Sequence, residues 1–327
     1  MNQNQEEQGT ENQDEVYEKL KNSKFKQQKL PGWRPVPTIT STTIIFFCFG
    51  IVFIILGIII LVFSNKIVEV IYRYDNDEKC KGKDSCDITL TIDSDMEKDI
   101  MVYYQLDGFY QNHRRYVKSK SDDQLNGKDI SYEVMKDSQD CDPVITNKDM
   151  NKNESVTKIA LNEDDVAIPC GLIAKSYFND VFSNWRIKSK FDDSSEDQPI
   201  YVNEKDIAWK ADKELKYKNV DLNRQWIDMT DEHFIVWMRP AGLPNFRKLW
   251  GRINTDLKAK TEILVHIDNK FDVSSFNGKK YLILSTVNAF GGKNSFLGIS
   301  YIVLGGISII LAIVFVIGYN IHSKKQK

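Results

Sequence analysis

The sequence lacks the short motifs that mark the common catalytic centres. None of the patterns HExxH, CxxC, GxSxG, GxGxxG or the phosphate-binding GxxxxGKS/T occurs among its 327 residues. Asp212-Lys213 is followed by Glu214, so the Asp-Lys-Thr-Gly phosphorylation motif of ion pumps is absent as well. The four histidines do not stand at the spacing of paired metal ligands. The sequence therefore predicts a protein that is not an enzyme and that has no metal site and no cofactor.

An excess of charge of either sign is missing too. The 44 lysines and arginines nearly balance the 46 aspartates and glutamates, which leaves a formal net charge of −2. Nucleic-acid binding usually needs a clustered basic surface, and the bulk composition offers none. We therefore expect no nucleic acid among the partners.

Two long uncharged blocks interrupt this polar composition. They are IIFFCFGIVFIILGIIILVF, from Ile44 to Phe63, and FLGISYIVLGGISIILAIVFVI, from Phe296 to Ile317. At about 1.5 Å rise per residue, each block as a helix crosses the roughly 30 Å hydrocarbon core of a bilayer. Residues 1–43 precede the first block, which is too long for the apolar region of a cleavable signal peptide. We predict transmembrane helices over residues 44–63 and 296–318, with the lipid bilayer as a partner.

Cysteine is scarce, and four of the five cysteines fall between the two blocks. Cys48 lies inside the first block. The other four are an even number, which is typical of disulfides formed in an oxidising compartment: Cys80, Cys86, Cys141 and Cys170. Pairing sequence neighbours, the first with the second and the third with the fourth, leaves no crossed loops, although the sequence leaves other pairings open.

The same segment carries an N-glycosylation sequon, Asn153-Glu154-Ser155, which makes Asn153 the predicted glycosylation site. Basic residues flank both blocks on both sides, so the positive-inside rule does not decide the orientation. The cysteines and the sequon do, and they place residues 64–295 in the lumen or outside the cell. Both termini are then expected in the cytosol, and residues 319–327 form a short cytosolic tail.

The amino-terminal region changes character near Lys24. Residues 1–23 are polar and acidic, with too few apolar side chains to offset the entropy of ordering, so we predict a disordered cytosolic tail. Residues 24–43 combine basic residues and prolines with the spaced apolar side chains Phe25, Leu30 and Trp33. We predict that this segment docks on a partner, because a proline-stiffened peptide binds a groove at low entropic cost. A juxtamembrane linker with Trp33 as an interfacial anchor is the alternative.

The long segment between the blocks is expected to be mostly β-structure. Apolar and polar residues alternate over 88–92, 102–106 and 263–267, which is the period of a strand with one buried face. Such alternation favours antiparallel sheets packed as a sandwich. The predicted fold is therefore two transmembrane helices flanking a large, mostly antiparallel β-sandwich-like ectodomain with few helices.

One helix is expected near the end of this segment. Asn245 has the character of an N-cap, and four apolar residues after it fall on one helical stripe: Phe246, Leu249, Trp250 and Ile253. The basic residues between them are interpreted as a solvated face: Arg247, Lys248 and Arg252.

The stretch FYQNHRRYVKS, from Phe109 to Ser119, is the part of the ectodomain that most suggests chemistry. Its histidine and two arginines fit a phosphate-binding patch, an acid/base site built on His113, or a structural element. A lone histidine is more often a hydrogen-bonded structural residue than a base, and arginines among tyrosines bind ring faces, carboxylates and carbonyls. We interpret the stretch as an ordered polar corner after the strand that ends near Leu106, with a ligand site as the alternative.

Several stretches together resemble the Cdc50/Lem3 family. In chain order they are FKQQKLPGW, FYQNHRRYVKS with SDDQLNG, PCGLIAKSYFND, FIVWMRPAGLPNFRKLWGRI and LSTVNAFGGKNSFLGISYIVLG, and they extend over nearly the whole chain after residue 24. The resemblance implies a noncatalytic β-subunit of a P4-type ATPase, a phospholipid flippase, with a glycosylated, disulfide-bonded ectodomain. It also implies roles in the folding, endoplasmic reticulum export and phosphorylation cycle of that ATPase. The expected residence is the endoplasmic reticulum, the Golgi and endosomes, or the plasma membrane.

Small residues in the second block offer a further contact surface, because they permit helices to approach closely. We therefore predict the following partner-binding residues: Phe25, Leu30, Trp33, Gly298, Gly305 and Gly306. A stand-alone cell-surface receptor or adhesion protein with a ligand-binding ectodomain is the alternative function, and an ectoenzyme with a site around His113 and Arg114 is a second one.

Overall fold

The structure is a computed structural model in which residues 17–29, 32, 38–188 and 197–325 are described. It divides into two compact units, Met1–Gly57 with Ser300–Lys327, and Ile58–Ile299. Two long helices run through both units, over Ile39–Asn65 and Ser295–Lys325. Both are long and apolar enough to cross a bilayer, and each extends beyond the uncharged block that predicted it.

The part of the chain between the two long helices is built on antiparallel strands. In chain order these are β1 (Glu69–Arg73), β2 (Ser85–Thr91), β3 (Ile100–Asp107), β4 (Val181–Ile187), β5 (Gln198–Pro199), β6 (Val202–Asn203), β7 (Phe246–Ile253), β8 (Glu262–Asp268) and β9 (Lys279–Ser285). The first sheet has the order β1-β9-β3-β7-β6 and the second the order β2-β8-β4-β5. The predicted fold class, a β-rich ectodomain between two membrane helices, is confirmed.

Every second side chain of the central strands lies in the core. In β3 the buried residues are Ile100, Val102, Tyr104 and Leu106. In β8 they are Ile263, Val265 and Ile267. This is the arrangement of two sheets packed face to face, and it is the alternation that the sequence displays.

The strand pairing distinguishes two ends of the first sheet. Glu69 of β1 pairs with Ser285, the last residue of β9, close in sequence to both long helices. We call this the helix-proximal end. At the opposite, helix-distal end, Leu106 of β3 pairs with Phe246 of β7. Loops 108–113 and 239–245 therefore adjoin the helix-distal end.

The helix predicted after Asn245 is wrong, because Phe246–Ile253 is the strand β7. It pairs with β3, and the register shifts between Val102 and Tyr103, where Trp250 is the extra residue of a bulge. The bulge moves the buried face by one position, so apolar residues fall at 246, 250 and 253 instead of at every second place. This spacing resembles that of the apolar face of a helix, but pairing with β3 makes the segment a strand.

Seven short helices and one 3-10 turn connect the strands in the described residues. They are Arg114–Lys118, Asp122–Leu125, Tyr132–Ser138, Asn147–Met150, Leu172–Lys175, Lys210–Leu215, Glu232–Met238 and the turn Ser274–Phe276. Most belong to the insertion between β3 and β4 or to the segment between β6 and β7. Local capping starts some of them: Thr146 and Asp149 form a capping box, and Asp231 accepts from the amides of the helix that follows it.

Two disulfides join sequence neighbours. Cys80 is bonded to Cys86, with the Cα atoms 5.0 Å apart, and Cys141 to Cys170, with the Cα atoms 5.6 Å apart. The first lies in the connection between β1 and β2, and the second closes residues 141–170 within the insertion between β3 and β4. Cys48, in the first long helix, is free.

Candidate functional site

The described histidines do not form a chemical centre. His266 Nδ1 lies 2.7 Å from Asp87 Oδ1, and His233 Nε2 lies 3.0 Å from Glu204 Oε2. His113 is exposed. Within the ranges that the structure describes, no group of three or more His, Cys, Asp or Glu residues is arranged to hold a metal ion. Surfaces that another molecule could cover are therefore the candidate functional sites.

The stretch FYQNHRRYVKS forms a corner that fastens two loops at the helix-distal end. The buried Gln111 accepts a hydrogen bond from the amide of Ala241 at 2.8 Å. The side-chain amide of Asn112 donates to the carbonyl of Gly242, also at 2.8 Å. The two arginines are exposed. The hydrogen bonds that join these two loops are therefore made by the amide side chains of the stretch and not by its histidine or arginines.

Four large apolar side chains are exposed, two in the loops that this corner fastens and two on the segment 209–215. Their exposed fractions are 64% for Tyr110, 67% for Trp209, 70% for Leu215 and 70% for Leu243. We call these four residues the apolar patch. The corner links two of them, because the loop that carries Tyr110 is bonded to the loop that carries Leu243. Large apolar side chains exposed on ordered segments are candidates for contact with another molecule.

An ion pair holds the other half of the patch in place. The guanidinium carbon of Arg239 lies 4.9 Å from the centre of the Trp209 ring. The same guanidinium donates to the buried carboxylate of Asp212, which Lys216 also approaches at 2.9 Å. Asp212 lies on the helix that ends at Leu215. The hydrogen bond from Arg239 holds the pKa of the Asp212 carboxyl below its usual value, so the pair is charged throughout the physiological range.

Lys248 lies buried behind the segment that carries Arg239. Its ammonium donates to the carbonyls of Val236 at 3.0 Å and Trp237 at 3.3 Å, and to that of Arg239. These are carbonyls at the carboxyl end of helix Glu232–Met238, where a cation is favoured. Burial, with the charge of Arg239 as a second cause, lowers the pKa of Lys248 to about 7. The expectation that Lys248 lies on a solvated face is wrong, because the β7 register turns it into the core.

The two long helices meet through glycines within the first unit. A Cβ on Gly305 would lie 2.7 Å from the carbonyl oxygen of Gly50 and 2.7 Å from Ile54 Cγ1. A Cβ on Gly306 would meet nothing within 4 Å. Gly305 therefore contacts the first helix of its own chain, and Gly306 presents an open face. Gly298 lies in the first turn of the second helix. Gly50 was not predicted as a contact residue, and its only signal in the sequence is its position within an apolar run.

The other predicted residues are placed as follows. Phe25 is 75% exposed and lies in a turn that follows the helical residues 17–22. Leu30 and Trp33 lie outside the described residues, so their role stays a prediction. Asn153 is exposed, and the hydroxyl of the buried Ser155 accepts from the amide of Ile159 at 3.0 Å.

Comparison with known proteins gives a consistent result. The family model described as the LEM3 (ligand-effect modulator 3) family / CDC50 family matches residues 60–325. "Putative ALA-interacting subunit 4" of Arabidopsis thaliana is 37% identical over 91% of this chain and 88% of its own length. "Cell cycle control protein 50A" of Mus musculus is 36% identical over 90% and 88%.

A third relative is the "Phospholipid-transporting ATPase accessory subunit CDC50" of Chaetomium thermophilum, which is 30% identical over 74% of this chain and 61% of its own length. The first two relatives align with 91% and 90% of this chain, and the family model extends from the end of the first long helix through the ectodomain and the second long helix. The chain is a two-pass integral membrane protein of the LEM3/CDC50 family.

Proposed function

We propose that this chain is the accessory subunit of a P4-type ATPase that translocates phospholipids, and that it forms a heterodimer with the catalytic subunit. The observation that carries the proposal is similarity over most of the chain to relatives whose names call them accessory or interacting subunits. The chain itself is not an enzyme. Its contribution is to support the folding, the export from the endoplasmic reticulum and the phosphorylation cycle of its partner.

The physical role is that of a clamp with three parts. In the cytosol the docking segment, residues 24–43, presents Phe25 to the partner. In the membrane the two long helices offer a largely exposed apolar surface that includes the open face at Gly306. On the other side the apolar patch offers large side chains of the kind that anchor protein interfaces. One part lies in the cytosol, one in the membrane and one on the ectodomain side. Together they would restrict tilting and unfolding of the partner.

The orientation of the chain is part of the proposal. Disulfides form in oxidising compartments, and both disulfides and the exposed Asn153 lie between the two long helices. We place residues 64–295 in the lumen or outside the cell, and the tails 1–23 and 319–327 in the cytosol. The complex would reside in the endoplasmic reticulum, the Golgi and endosomes, or the plasma membrane. Asn153→Gln should then remove a glycan and increase the electrophoretic mobility of the mature protein.

Purification of the full chain in a mild detergent tests the proposal. We expect recovery of a multi-span P-type ATPase at equal stoichiometry, identified by mass spectrometry of the co-purifying band. A chain that emerges alone, folded and stable would contradict the subunit role and favour the receptor or adhesion function. As a control, a chain with Cys170→Ser, whose ectodomain is disturbed, should recover less ATPase from the same quantity of membranes.

A further inference from the structure

The chain between β9 and the second long helix contains a tight turn that exposes a phenylalanine. The amide of Asn288 donates to the carbonyl of Gly291 at 3.2 Å, and the amide of Gly291 donates back at 2.9 Å. The Asn288 side chain also accepts from the amide of Phe290 at 2.9 Å. Gly291 has φ of +96°, which a residue with a side chain rarely adopts. Ala289 and Phe290 stand at the tip, and Phe290 is 61% exposed.

This turn is fastened to the end of the first long helix. The side-chain amide of Asn288 donates to the carbonyl of Phe63 at 2.8 Å. The ring centres of Phe63 and Phe290 are 5.2 Å apart. After the turn, the amide of Asn294 donates to the hydroxyl of Ser64 at 2.9 Å. These residues all belong to the second unit, so their arrangement is fixed within one compact body.

The position of Phe63 sets the depth of the turn. Phe63 is the last residue of the apolar run that begins at Ile44, and a run of that length as a helix spans roughly the 30 Å of the hydrocarbon core. Phe63 therefore lies at the boundary between the acyl chains and the headgroups. Because the Phe290 ring is in contact with it, Phe290 lies at the same boundary.

The charges around the turn fit a lipid surface. The ammonium of Lys66 lies 5.6 Å from the centre of the Phe63 ring, and Lys293 is exposed just beyond the turn. Lysines beside aromatic rings at the end of a membrane helix reach the phosphate layer while the rings stay among the acyl chains. Acidic residues are absent from the segment 286–294.

We propose that the turn Asn288–Gly291 is a membrane-inserted element, with Phe290 entering the ectodomain-side leaflet beside Phe63. The bound molecule is phospholipid, held by ring contact with the acyl chains and by the two lysines at the phosphate layer. The turn thereby fixes the height of the ectodomain above the bilayer at a third point, besides the two spanning helices. The proposal does not depend on the identity of a partner subunit.

Site-specific fluorescence tests this insertion on the full chain. In a Cys48→Ser background, the variants Ala289→Cys and Phe290→Cys are labelled with an environment-sensitive dye and reconstituted into phosphatidylcholine vesicles. Ala289→Cys keeps the Phe63–Phe290 contact, so it guards against a turn that Phe290→Cys has disturbed. Tyr110→Cys is the matched control, because Tyr110 is similarly exposed but lies at the helix-distal end of the ectodomain.

We expect both turn labels to shift their emission to the blue. Lipids with a nitroxide near the headgroup should quench them more strongly than lipids with a nitroxide near the chain end. Iodide in the water, on both sides of the membrane, should quench the label on Tyr110→Cys and leave the turn labels nearly unchanged. Turn labels that iodide quenches as strongly as the control, or that no nitroxide lipid quenches, overturn the proposal. Loss of lipid quenching on assembly with a catalytic subunit overturns it for the complex, since protein would then replace lipid there.

Discussion

Lys280 and Asp180 form a buried ion pair between the two sheets, with 2.7 Å between the ammonium nitrogen and Asp180 Oδ2. Lys280 belongs to β9 of the first sheet, and Asp180 immediately precedes β4 of the second. The hydroxyl of Tyr74 donates to the same carboxylate oxygen at 2.7 Å, and Lys280 also donates to the carbonyl of Phe271 at 2.6 Å. Burial, and then the charge of Asp180, hold the pKa of Tyr74 well above its usual range, so Tyr74 remains a donor.

Removing one partner of this pair should destabilise the ectodomain more than removing both. Lys280→Met leaves a buried carboxylate without its cation, which typically costs about 3–5 kcal/mol. Asp180→Asn in the same chain removes the charge and keeps an acceptor for Tyr74. We expect the double variant to regain part of the loss in chemical unfolding of the purified protein. Additive effects of the two substitutions would show that the residues do not interact.

Lys248 should give the ectodomain a distinctive dependence on pH. Its pKa is about 7 in the folded state against 10.5 for an unperturbed lysine. Between these values the unfolded chain binds the extra proton, so the free energy of unfolding should rise with pH, by at most about 1.4 kcal/mol per pH unit. Below about pH 7 both states are charged and this slope vanishes.

The variant Lys248→Met should lack that slope. The measurement is chemical unfolding of wild type and variant from pH 7 to pH 9, below the range in which exposed tyrosines ionise. Lys279→Met, at an exposed position of β9, is the control and should keep the wild-type slope. Parallel curves for wild type and Lys248→Met would mean that Lys248 stays fully protonated in the fold.

The sequence predicted the parts of the fold whose signal is local. An uncharged block has one stable structure in a bilayer, and the alternation over 102–106 and 263–267 appears as the buried faces of β3 and β8. The prediction of a helix at 246–253 was wrong because a bulge shifts the apolar pattern, and only the pairing with β3 reveals that bulge. Local periodicity cannot report a partner strand that is distant in sequence.

The candidate site was less accessible to sequence reasoning. Lysines are nearly always exposed unless paired, so Lys248 and Lys280 look like surface residues until the fold supplies carbonyls and a carboxylate. The apolar patch consists of residues from three separate segments, and nothing local distinguishes Leu243 from a core leucine. Gly305 was predicted to bind a partner, and the structure places it against Gly50 of its own chain.

The two disulfides should differ in their contribution to stability. Their partners are separated by 6 residues for Cys80–Cys86 and by 29 for Cys141–Cys170. The chain-entropy estimate gives about 2.4 kcal/mol for the short loop and about 3.6 kcal/mol for the long one. Cys170→Ser should therefore lower the thermal midpoint of the ectodomain more than Cys80→Ser, and it should retain more protein in the endoplasmic reticulum. Equal export of both variants would contradict this order.

The amino-terminal segment should contribute to assembly without contributing to the fold. Replacing Phe25, Leu30 and Trp33 together by alanine removes the apolar side chains that would enter a groove on the partner. We expect lower recovery of the ATPase and lower ATP turnover, with an unchanged thermal midpoint of the ectodomain. Alanine at Gln27 and Gln28 is the matched control and should change none of these. Recovery of the ATPase and ATP turnover at the wild-type level in the triple variant would mean that the segment is only a linker.

Two neighbouring glycines of the second long helix should respond differently to the same substitution. Gly305→Val places a side chain against the backbone of Gly50, where a Cβ alone would lie 2.7 Å from the carbonyl oxygen. The helices must then separate, and overpacking of this kind typically costs about 1–3 kcal/mol. A Cβ on Gly306 would meet nothing within 4 Å, so Gly306→Val has open space. The purified chain in detergent should therefore lose thermal stability with Gly305→Val and keep it with Gly306→Val.

The same two variants distinguish helix contacts within the chain from helix contacts with a partner. If Gly306 faces the catalytic subunit, Gly306→Val should lower recovery of the ATPase from membranes although the chain alone is as stable as wild type. The valine would fill the space that a partner helix needs for close approach. Recovery at the wild-type level would place Gly306 against lipid, because acyl chains rearrange around an added side chain at little cost. Loss of stability in both variants would instead mean that the helices of the isolated chain pack over a wider face than Gly50 and Gly305.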